Sequence, residues 1–207
     1  RSQLLTLEEI IRVARAFVAL GVNRIRITGG EPLTRSNILK VFSELGEFDD
    51  LKDLSLTTNA TQLTKYARAL HEAGVSRINI SLDSLRPDRF RRITRVGQLE
   101  KTLAGIDAAL DAGFKKVKIN AVMLKHINHD EAVDLVEFAR RRGLDISFIE
   151  EMPLGLIDDR LRADSYYSSN NILADLRRRY ELFATTEKTG GPARYYRMSD
   201  SDSRVGF

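Results

Sequence analysis

The chain has 207 residues, of which 43% are hydrophobic and 30% charged, with 13 glycines, 4 prolines and no cysteine. This composition suits one substantial hydrophobic core and is unlike that of a disordered or collagenous chain. The lack of cysteine excludes disulfides, cysteine nucleophiles, thiolate zinc sites and cysteine-bound iron–sulfur clusters within these residues, while the net charge of +4 favours anionic ligands.

The first helices are predicted from capping signals and helical spacing. Thr6-Leu-Glu-Glu9 is a capping box, and apolar residues follow it at the spacing of one helix face, Val13 and Phe17 among them. Ser36 is predicted to cap a second helix. Farther along, Pro87 suits the first turn of a short helix, and residues 99–112 and 130–142 are amphipathic.

A repeating unit runs along the chain, in which a helix is followed by a glycine, a polar spacer and an alternating strand. We expect each glycine to end its helix at positive φ, which glycine adopts without steric cost. Helices that alternate with strands predict βα units and a parallel sheet. The four segments are Gly21-Val-Asn-Arg-Ile-Arg-Ile-Thr28, Gly74-Val-Ser-Arg-Ile-Asn-Ile-Ser81, Gly113-Phe-Lys-Lys-Val-Lys-Ile-Asn120 and Gly143-Leu-Asp-Ile-Ser-Phe-Ile-Glu150, and a further strand is Leu54-Ser-Leu-Thr-Thr-Asn59.

The strands alternate strictly between apolar and polar side chains, which decides between two parallel architectures. A polar face rich in Arg, Lys, Ser, Thr and Asn does not suit the packed interior of a closed eight-stranded barrel. We therefore predict an α/β fold, an incomplete parallel βα barrel with a wet or ligand-filled lumen; an α+β sheet with a solvated polar face is the alternative. The predicted lumen residues are Arg26, Thr28, Ser55, Thr57, Asn79, Ser81, Lys118, Asn120 and Ser147.

Polar motifs follow the strands at their carboxyl ends, where ligands bind in parallel α/β folds. Thr28-Gly-Gly-Glu-Pro32 offers close backbone approach to a ligand and a carboxylate for an ammonium group, although such a string is also an ordinary turn. Ser81-Leu-Asp83 and Glu150-Glu151-Met152-Pro153 are each weak signals. Because neighbouring strand residues point to opposite faces, Glu150 and Glu151 are not expected to act as a pair.

Taken in order, these motifs resemble one family, the molybdenum cofactor biosynthesis protein A family, or GTP 3′,8-cyclases, of the radical S-adenosylmethionine (SAM) superfamily. The resemblance covers nearly the whole chain. It implies a lyase that converts GTP to the cyclic pterin precursor of molybdopterin in a TIM-like partial barrel. The motifs are Arg26-Ile-Thr-Gly-Gly-Glu-Pro-Leu33, Leu56-Thr-Thr-Asn59, Ile78-Asn-Ile-Ser-Leu-Asp83, Val117-Lys-Ile-Asn120, Phe148-Ile-Glu-Glu-Met-Pro153 and Gly191-Pro-Ala-Arg-Tyr-Tyr-Arg197.

The resemblance also implies site residues, cofactors and partners. By position, Gly30, Ser81 and Met152 resemble SAM contacts, and Arg26, Thr57 and Lys118 resemble GTP contacts. The implied cofactors are SAM and two [4Fe–4S] clusters in the parent protein, whose ligands are absent from this chain, so no catalytic or metal-binding residue is assigned. The implied partners are GTP, SAM, an electron donor and a homodimer in the cytoplasm, without a stable nucleic acid or membrane partner.

The chain departs from the family pattern at two positions and at both ends. Ala60 replaces a usual glycine, which we expect to alter only a turn, and Ser147 stands where many members have an arginine. Either another arginine compensates for Ser147, or the affinity for SAM or GTP differs. The chain begins without Met, and we expect it to start after the first strand and its cysteine loop and to stop before the second cluster region, so that it is inactive by itself.

Two domains and two alternative functions complete the sequence predictions. Residues 1–155 are predicted to form the barrel core, and residues 156–207 the start of a C-terminal region. One alternative is another radical SAM enzyme that acts on a peptide or a tetrapyrrole, and the other is a non-catalytic nucleotide-binding module without cysteines. The arginine runs at 86–95, 140–142 and 177–179 are predicted to be solvated helix faces, and His126 and His129 are predicted to belong to a loop and helix cap.

Overall fold

A computed structural model describes residues 4–152, 164–187 and 193–207. The predicted domain boundary at 155/156, Pro153 and the Gly191-Pro192 pair lie outside these ranges, and that boundary stays a prediction. In chain order the described elements are α1 (Leu7–Ala19), β1 (Arg24–Ile27), α2 (Leu39–Gly46), β2 (Asp53–Thr58), α3 (Leu63–Glu72), β3 (Arg77–Ser81), α4 (Pro87–Thr94), α5 (Leu99–Asp111), β4 (Val117–Val122), α6 (Ala132–Arg141), β5 (Asp145–Ile149), α7 (Ser169–Arg177), β6 (Leu182–Ala184), β7 (Tyr195–Met198) and β8 (Ser201–Gly206).

The chain divides into two compact units. The first unit comprises Arg1–Ile80 and Lys101–Val117, and the second comprises Ser81–Glu100 and Lys118–Phe207. In the first unit the strand order is β1-β2-β3, and all three strands are parallel. In the second unit the order is β4-β5-β8-β7-β6, where β4, β5 and β8 are parallel and β8, β7 and β6 form an antiparallel meander. The predicted parallel pairing is therefore confirmed within each unit.

The local signals of helix start and end are confirmed almost everywhere. Thr6 and Glu9 bond reciprocally in a capping box at the start of α1, and Pro87 opens α4. The glycines that follow four helices all have positive φ, between 65° and 95°. A side chain at such a φ would be strained, so these positions explain the recurring glycine. They are Gly21, Gly74, Gly113 and Gly143.

One expectation about the first helices is wrong, and one apolar face is less covered than its pattern suggests. Ser36 does not cap α2: Asn37 takes a φ of 58°, which interrupts the helical backbone, and α2 begins at Leu39 with no side-chain cap. In α1 the buried residues are Ile11 and Ala14, whereas Phe17, which helical spacing had placed on the apolar face, is 54% exposed. Periodicity indicates which residues share a helix face, but it cannot show how much of that face is covered.

The apolar face of the strands forms the core, as predicted. Its β2, β3, β4 and β5 members are buried, from Leu54 to Phe148. In the second unit α6 and α7 pack against β5. Within the described ranges, no helix is long and apolar enough to cross a membrane.

A turn in the first unit shows how closely backbone and helix pack. Ala60 lies after β2, is fully buried and has a φ of 65°, so the departure from glycine leaves a strained alanine. Its carbonyl faces Gly105 in the middle of α5: a Cβ on Gly105 would lie 2.0 Å from the Ala60 oxygen. Thr102 of α5 also donates to the carbonyl of Asn59 at 3.1 Å. This contact between α5 and the turn therefore requires glycine at position 105.

We predict that Gly105→Ala destabilises the protein by about 1–3 kcal/mol, because the methyl group overlaps backbone that cannot rotate away. The sign is informative, since alanine in a helix interior normally gains about 0.5–1 kcal/mol over glycine. Urea unfolding measures the change, and Gly30→Ala is the control: its Cβ meets nothing within 4 Å and its φ is not positive. Higher stability of Gly105→Ala than of the parent would contradict the packing of α5 on this turn.

Candidate functional site

Glu31 fixes the Gly-Gly-Glu-Pro loop at the carboxyl end of β1. One carboxylate oxygen accepts from the Leu33 amide at 3.0 Å and from the Thr58 hydroxyl at 2.8 Å, and the other accepts from the Asn59 amide at 2.6 Å. The side chain thereby ties the loop after β1 to the end of β2. These donors use the carboxylate that the sequence offered to a ligand ammonium, so we assign Glu31 a positioning role.

The backbone at Gly30 is open, and β1 carries an exposed cation, Arg26. A Cβ at Gly30 would meet no atom within 4 Å, so the peptide there can be approached closely by a ligand. Arg26 is exposed, and among the described residues it has no carboxylate partner. The charged group is therefore available to an anion.

The polar face of β2 and β3 is partly buried and satisfied by neighbouring strands. Ser55 donates to the Ile25 carbonyl at 3.4 Å, and Asn79 donates to the Leu56 carbonyl at 3.4 Å. The Asn79 amide also reaches the Thr57 hydroxyl at 3.5 Å, a marginal bond across the registered pair Thr57–Asn79. Thr57 is half-buried and keeps a hydroxyl on this face.

In the second unit a buried polar cluster holds the loop that follows Ser81. Glu131 is fully buried and accepts from the Ser84 hydroxyl at 2.8 Å, the Leu85 amide at 2.8 Å and Arg89 at 3.1 Å. Asn128, also fully buried, donates to the Asp83 and Val122 carbonyls. Ser81 is the exposed last residue of β3. The loop that follows it is held by Glu131 and Asn128.

Lys118 lies half-buried on the polar face of β4, near a hydroxyl cluster. Its ammonium donates to the Tyr195 hydroxyl at 3.2 Å, and the Ser147 hydroxyl lies 3.3 Å from the same oxygen. Within the described ranges no carboxylate pairs with Lys118. Asn120 is the register partner of Ser147, so both face the same side of the sheet. Lys118 is thus a second cation available to an anion.

Glu150 and Glu151 lie after the end of β5 at Ile149, so their hydrogen-bond partners, and not strand alternation, keep them apart. Glu150 accepts from the Ser169 amide at 2.7 Å and from the Tyr166 hydroxyl at 2.8 Å, and these bonds hold the pKa of Glu150 below its ordinary value. Glu151 accepts from the Ser165 hydroxyl at 2.6 Å. The two carboxylates have different partners and do not form an acid–base pair. Met152 follows them and is 58% exposed.

Several basic residues of the arginine runs, and the His126–His129 pair, have local partners. Arg89 pairs with Asp130 and Glu131, and Arg140 pairs with Glu137. The His129 ring accepts from the His126 amide at 3.0 Å. Among the described residues no group of three His, Cys, Asp or Glu side chains is placed to hold a metal ion.

Each unit contains three of the predicted site residues. Arg26, Gly30 and Thr57 lie in the first unit; Ser81, Lys118 and Met152 lie in the second. The sequence offers Glu31 to a ligand, whereas the structure uses it to hold a loop. Glu131 carries no sequence signal, and Tyr195 stands in the Gly191–Arg197 motif with no role assigned to it. Finding Tyr195 would have required the register of β7 against β8, which pairs Tyr195 with Gly206.

The parallel βα fold and glycine-rich strand end define the class of protein. The family model described as "Radical SAM superfamily" matches residues 1–139, which is more than half of the chain. The chain therefore belongs to the radical SAM superfamily.

Within that superfamily the chain is most informatively compared with two curated relatives. It is 54% identical over 207 residues to the GTP 3′,8-cyclase of Marinobacter nauticus, covering 100% of this chain and 62% of that protein. It is 54% identical over 208 aligned positions to GTP 3′,8-cyclase 1 of Pseudomonas aeruginosa, covering 100% and 63%. The chain thus spans less than two thirds of the length of these relatives.

Solved structures show the same fold at low sequence identity. Streptococcus suis SuiB aligns with a TM-score of 0.64 at 22% identity, over 84% of this chain and 38% of that one. Coproporphyrinogen III oxidase (HemN) from Escherichia coli aligns with a TM-score of 0.58 at 19% identity, over 83% and 42%. The likeness confirms the predicted fold, the incomplete parallel βα barrel of radical SAM proteins, and identity this low shows nothing further.

We predict that Asp83→Asn makes the protein more stable near neutral pH. Burial raises the pKa of Asp83 above its ordinary value of 3.8, while the Val122 amide, which donates to it at 2.8 Å, lowers it less. The ionised carboxylate is therefore disfavoured in the folded state. Its unfavourable contribution is absent below the unfolded-state pKa and develops as the pH rises through the folded-state pKa. Urea unfolding at several pH values should show the stability gain of Asp83→Asn growing from acid to neutral pH.

Asp130→Asn is the matched control with the opposite sign. Arg89 holds the pKa of Asp130 below its ordinary value, so the favourable contribution of Asp130 is present at neutral pH and is lost as the pH falls through the folded-state pKa. Asp130→Asn should be less stable than the parent at neutral pH and equal to it in acid. If Asp83→Asn behaves like Asp130→Asn, the Asp83 carboxylate is stabilised as an anion and our interpretation is wrong.

Proposed function

We propose that these 207 residues are the GTP- and SAM-binding core of a GTP 3′,8-cyclase, a lyase of molybdenum cofactor biosynthesis. The observation that carries the proposal is the 54% identity to two proteins of that name along the whole chain. The activity is that of a longer protein, since the chain spans 62% of the first of these relatives. The cyclase would form the cyclic pterin precursor of molybdopterin from GTP.

Two cations and a hydroxyl support GTP as the substrate. Arg26 and Lys118 are free of carboxylate partners among the described residues, and each offers charged N–H donors of the kind that bind phosphate oxygens. Thr57 adds a neutral hydroxyl on a strand face that is partly buried. In this proposal each cation provides a phosphate contact within its own unit, and Thr57 provides a further contact to the nucleotide.

Three further positions support SAM binding. The open backbone at Gly30 admits a ligand where a larger side chain would stand in its way, and the loop is held rigid by Glu31. The exposed Ser81 hydroxyl and the exposed Met152 side chain supply one polar and one apolar contact. These residues fit SAM, which when bound supplies the hydrogen-abstracting chemistry of the superfamily.

The residues present do not fit an iron–sulfur cluster. None of the 207 residues is a cysteine, so cluster ligation by thiolates has no side chain here. No chemical step is therefore assigned through a cluster to this chain. In the proposal the clusters, the electron donor and the second copy of a homodimer belong to the longer protein, which we place in the cytoplasm.

A chimaera tests the function directly. We expect the Pseudomonas aeruginosa GTP 3′,8-cyclase 1, with its matching segment replaced by these 207 residues, to convert GTP to the cyclic pterin precursor under anaerobic, reducing conditions with SAM. The native enzyme is the control. A folded, cluster-loaded chimaera that cleaves SAM but leaves GTP unchanged would favour a peptide or tetrapyrrole substrate. If the 207-residue chain binds GTP while a folded, cluster-loaded chimaera cleaves no SAM, a nucleotide-binding module is favoured instead.

The phosphate contacts have their own test. We predict that Arg26→Ala and Lys118→Ala each weaken GTP binding about 10- to 150-fold, or ~1.5–3 kcal/mol, because each removes hydrogen bonds to a charged group. Isothermal titration of the 207-residue chain measures the affinity. Arg12→Ala and Lys115→Ala remove exposed cations of the same types from outside the site and should leave it unchanged. Equal losses in all four variants would indicate a general effect of charge on GTP binding.

A further inference from the structure

Four neighbouring strands of the second unit, β4, β5, β8 and β7, place Tyr195 beside Lys118. The register pairs Ser147 of β5 with Gly206 of β8, and Gly206 with Tyr195 of β7. Register partners share a face, and Asn120 of β4 joins them as the partner of Ser147. Lys118 lies two residues before Asn120 and therefore on this face as well. On this face the Lys118 ammonium reaches the Tyr195 hydroxyl at 3.2 Å. The register partner of Lys118 is Asp145, whose carboxylate pairs with Arg204.

Gly206 gives the Tyr195 ring its place in this row. A Cβ on Gly206 would lie 2.6 Å from the Ser147 hydroxyl and 2.8 Å from the Tyr195 ring. With glycine there, the ring lies over β8, is 1% exposed, and its hydroxyl reaches Ser147 and Lys118. The packing of its ring and the hydrogen bond from Lys118 therefore restrict the Tyr195 side chain to one position.

The other cation close to Tyr195 is already neutralised. Arg204 lies 5.5 Å from the ring centre and pairs with Asp145 and Glu187. Arg197 shares Glu187, so that two arginines face two carboxylates. Lys118 has no such carboxylate in the part of the chain that the structure describes. An ammonium cannot accept a hydrogen bond, so Lys118 donates one N–H to the Tyr195 oxygen. Its other two N–H groups remain available for a ligand.

We propose that Tyr195 is a positioning residue for the triphosphate, which holds the Lys118 ammonium where it binds phosphate oxygens; this inference rests on GTP being the substrate. A lysine side chain has a flexible stem of four carbons, and it loses conformational entropy when its ammonium binds a ligand. The Tyr195 hydroxyl removes part of this cost before GTP arrives, and Ser147 fixes the hydroxyl in turn. Pre-organisation of this kind raises affinity without adding a contact to the ligand.

The test is a comparison of three probes by isothermal titration of the 207-residue chain. We expect Tyr195→Phe to bind GTP and inorganic triphosphate about tenfold more weakly, since it removes one hydrogen bond to a charged group, and to bind guanosine as the parent does. Tyr196→Phe is the matched control: its ring contacts Phe207 on the opposite face of β7. Ser147→Ala should give a smaller loss in the same direction, and it replaces Tyr195→Phe as the test if that variant does not fold.

A double variant separates this inference from the proposed function. In a Lys118→Ala background, Tyr195→Phe should cause no further loss of GTP affinity, because there is no ammonium left to position. An equal loss in both backgrounds, or no loss when Lys118→Ala alone weakens binding, overturns the role of Tyr195 and leaves the GTP site intact. A parent chain that does not bind GTP, or a Lys118→Ala variant that binds it unchanged, overturns both.

Discussion

Strict alternation along parallel strands is the constraint on which this structure depends. It gives each strand one apolar face, which forms the core with residues such as Leu56 and Ile119, and one polar face, which must be satisfied by something other than the core. Ser55 and Asn79 meet this demand by bonding to neighbouring strands. Arg26 and Lys118 are cations without carboxylate partners in the described ranges. In each unit the polar face therefore carries a cation without a carboxylate partner among the described residues, which suits an anionic ligand.

One half-buried and one buried carboxylate, Glu31 and Glu131, fix the loops at the ends of strands. Glu31 accepts from the Thr58 hydroxyl and from two backbone amides, and Glu131 accepts from the Ser84 hydroxyl and from one backbone amide. Glu31 belongs to the loop after β1 and also holds the end of β2, whereas Glu131 reaches the loop after β3 from the start of α6. Each carboxylate accepts from amides that water would otherwise solvate. Loops held in this way keep their shape before a ligand binds, so the ligand does not have to order them. The two units use the same device independently.

The sequence predicts what is local and misses what is set by register or coverage. The capping box at Thr6 and the helix end at Gly113 depend on residues a few positions apart, so the sequence alone predicts both. Parallel pairing followed from the alternation of helices and strands. Phe17 lies on a predicted apolar face yet is exposed, because coverage depends on other elements. Glu131 resembles an ordinary acidic residue at a helix start, and its burial could not be read from its neighbours in sequence.

Serine in place of arginine at position 147 removes a positive charge beside Tyr195 and Lys118. Of the two outcomes expected from the sequence, compensation by another arginine does not fit Arg204, whose guanidinium is held by Asp145 and Glu187. A serine hydroxyl in that place cannot bind phosphate by charge, but it can hold the tyrosine that holds Lys118. The cationic contribution of this part of the face then falls to one lysine, and its geometry matters more than it would beside a second cation. Removing an oxygen atom from Tyr195 should therefore cost this chain more than it would cost a relative with arginine in place of Ser147.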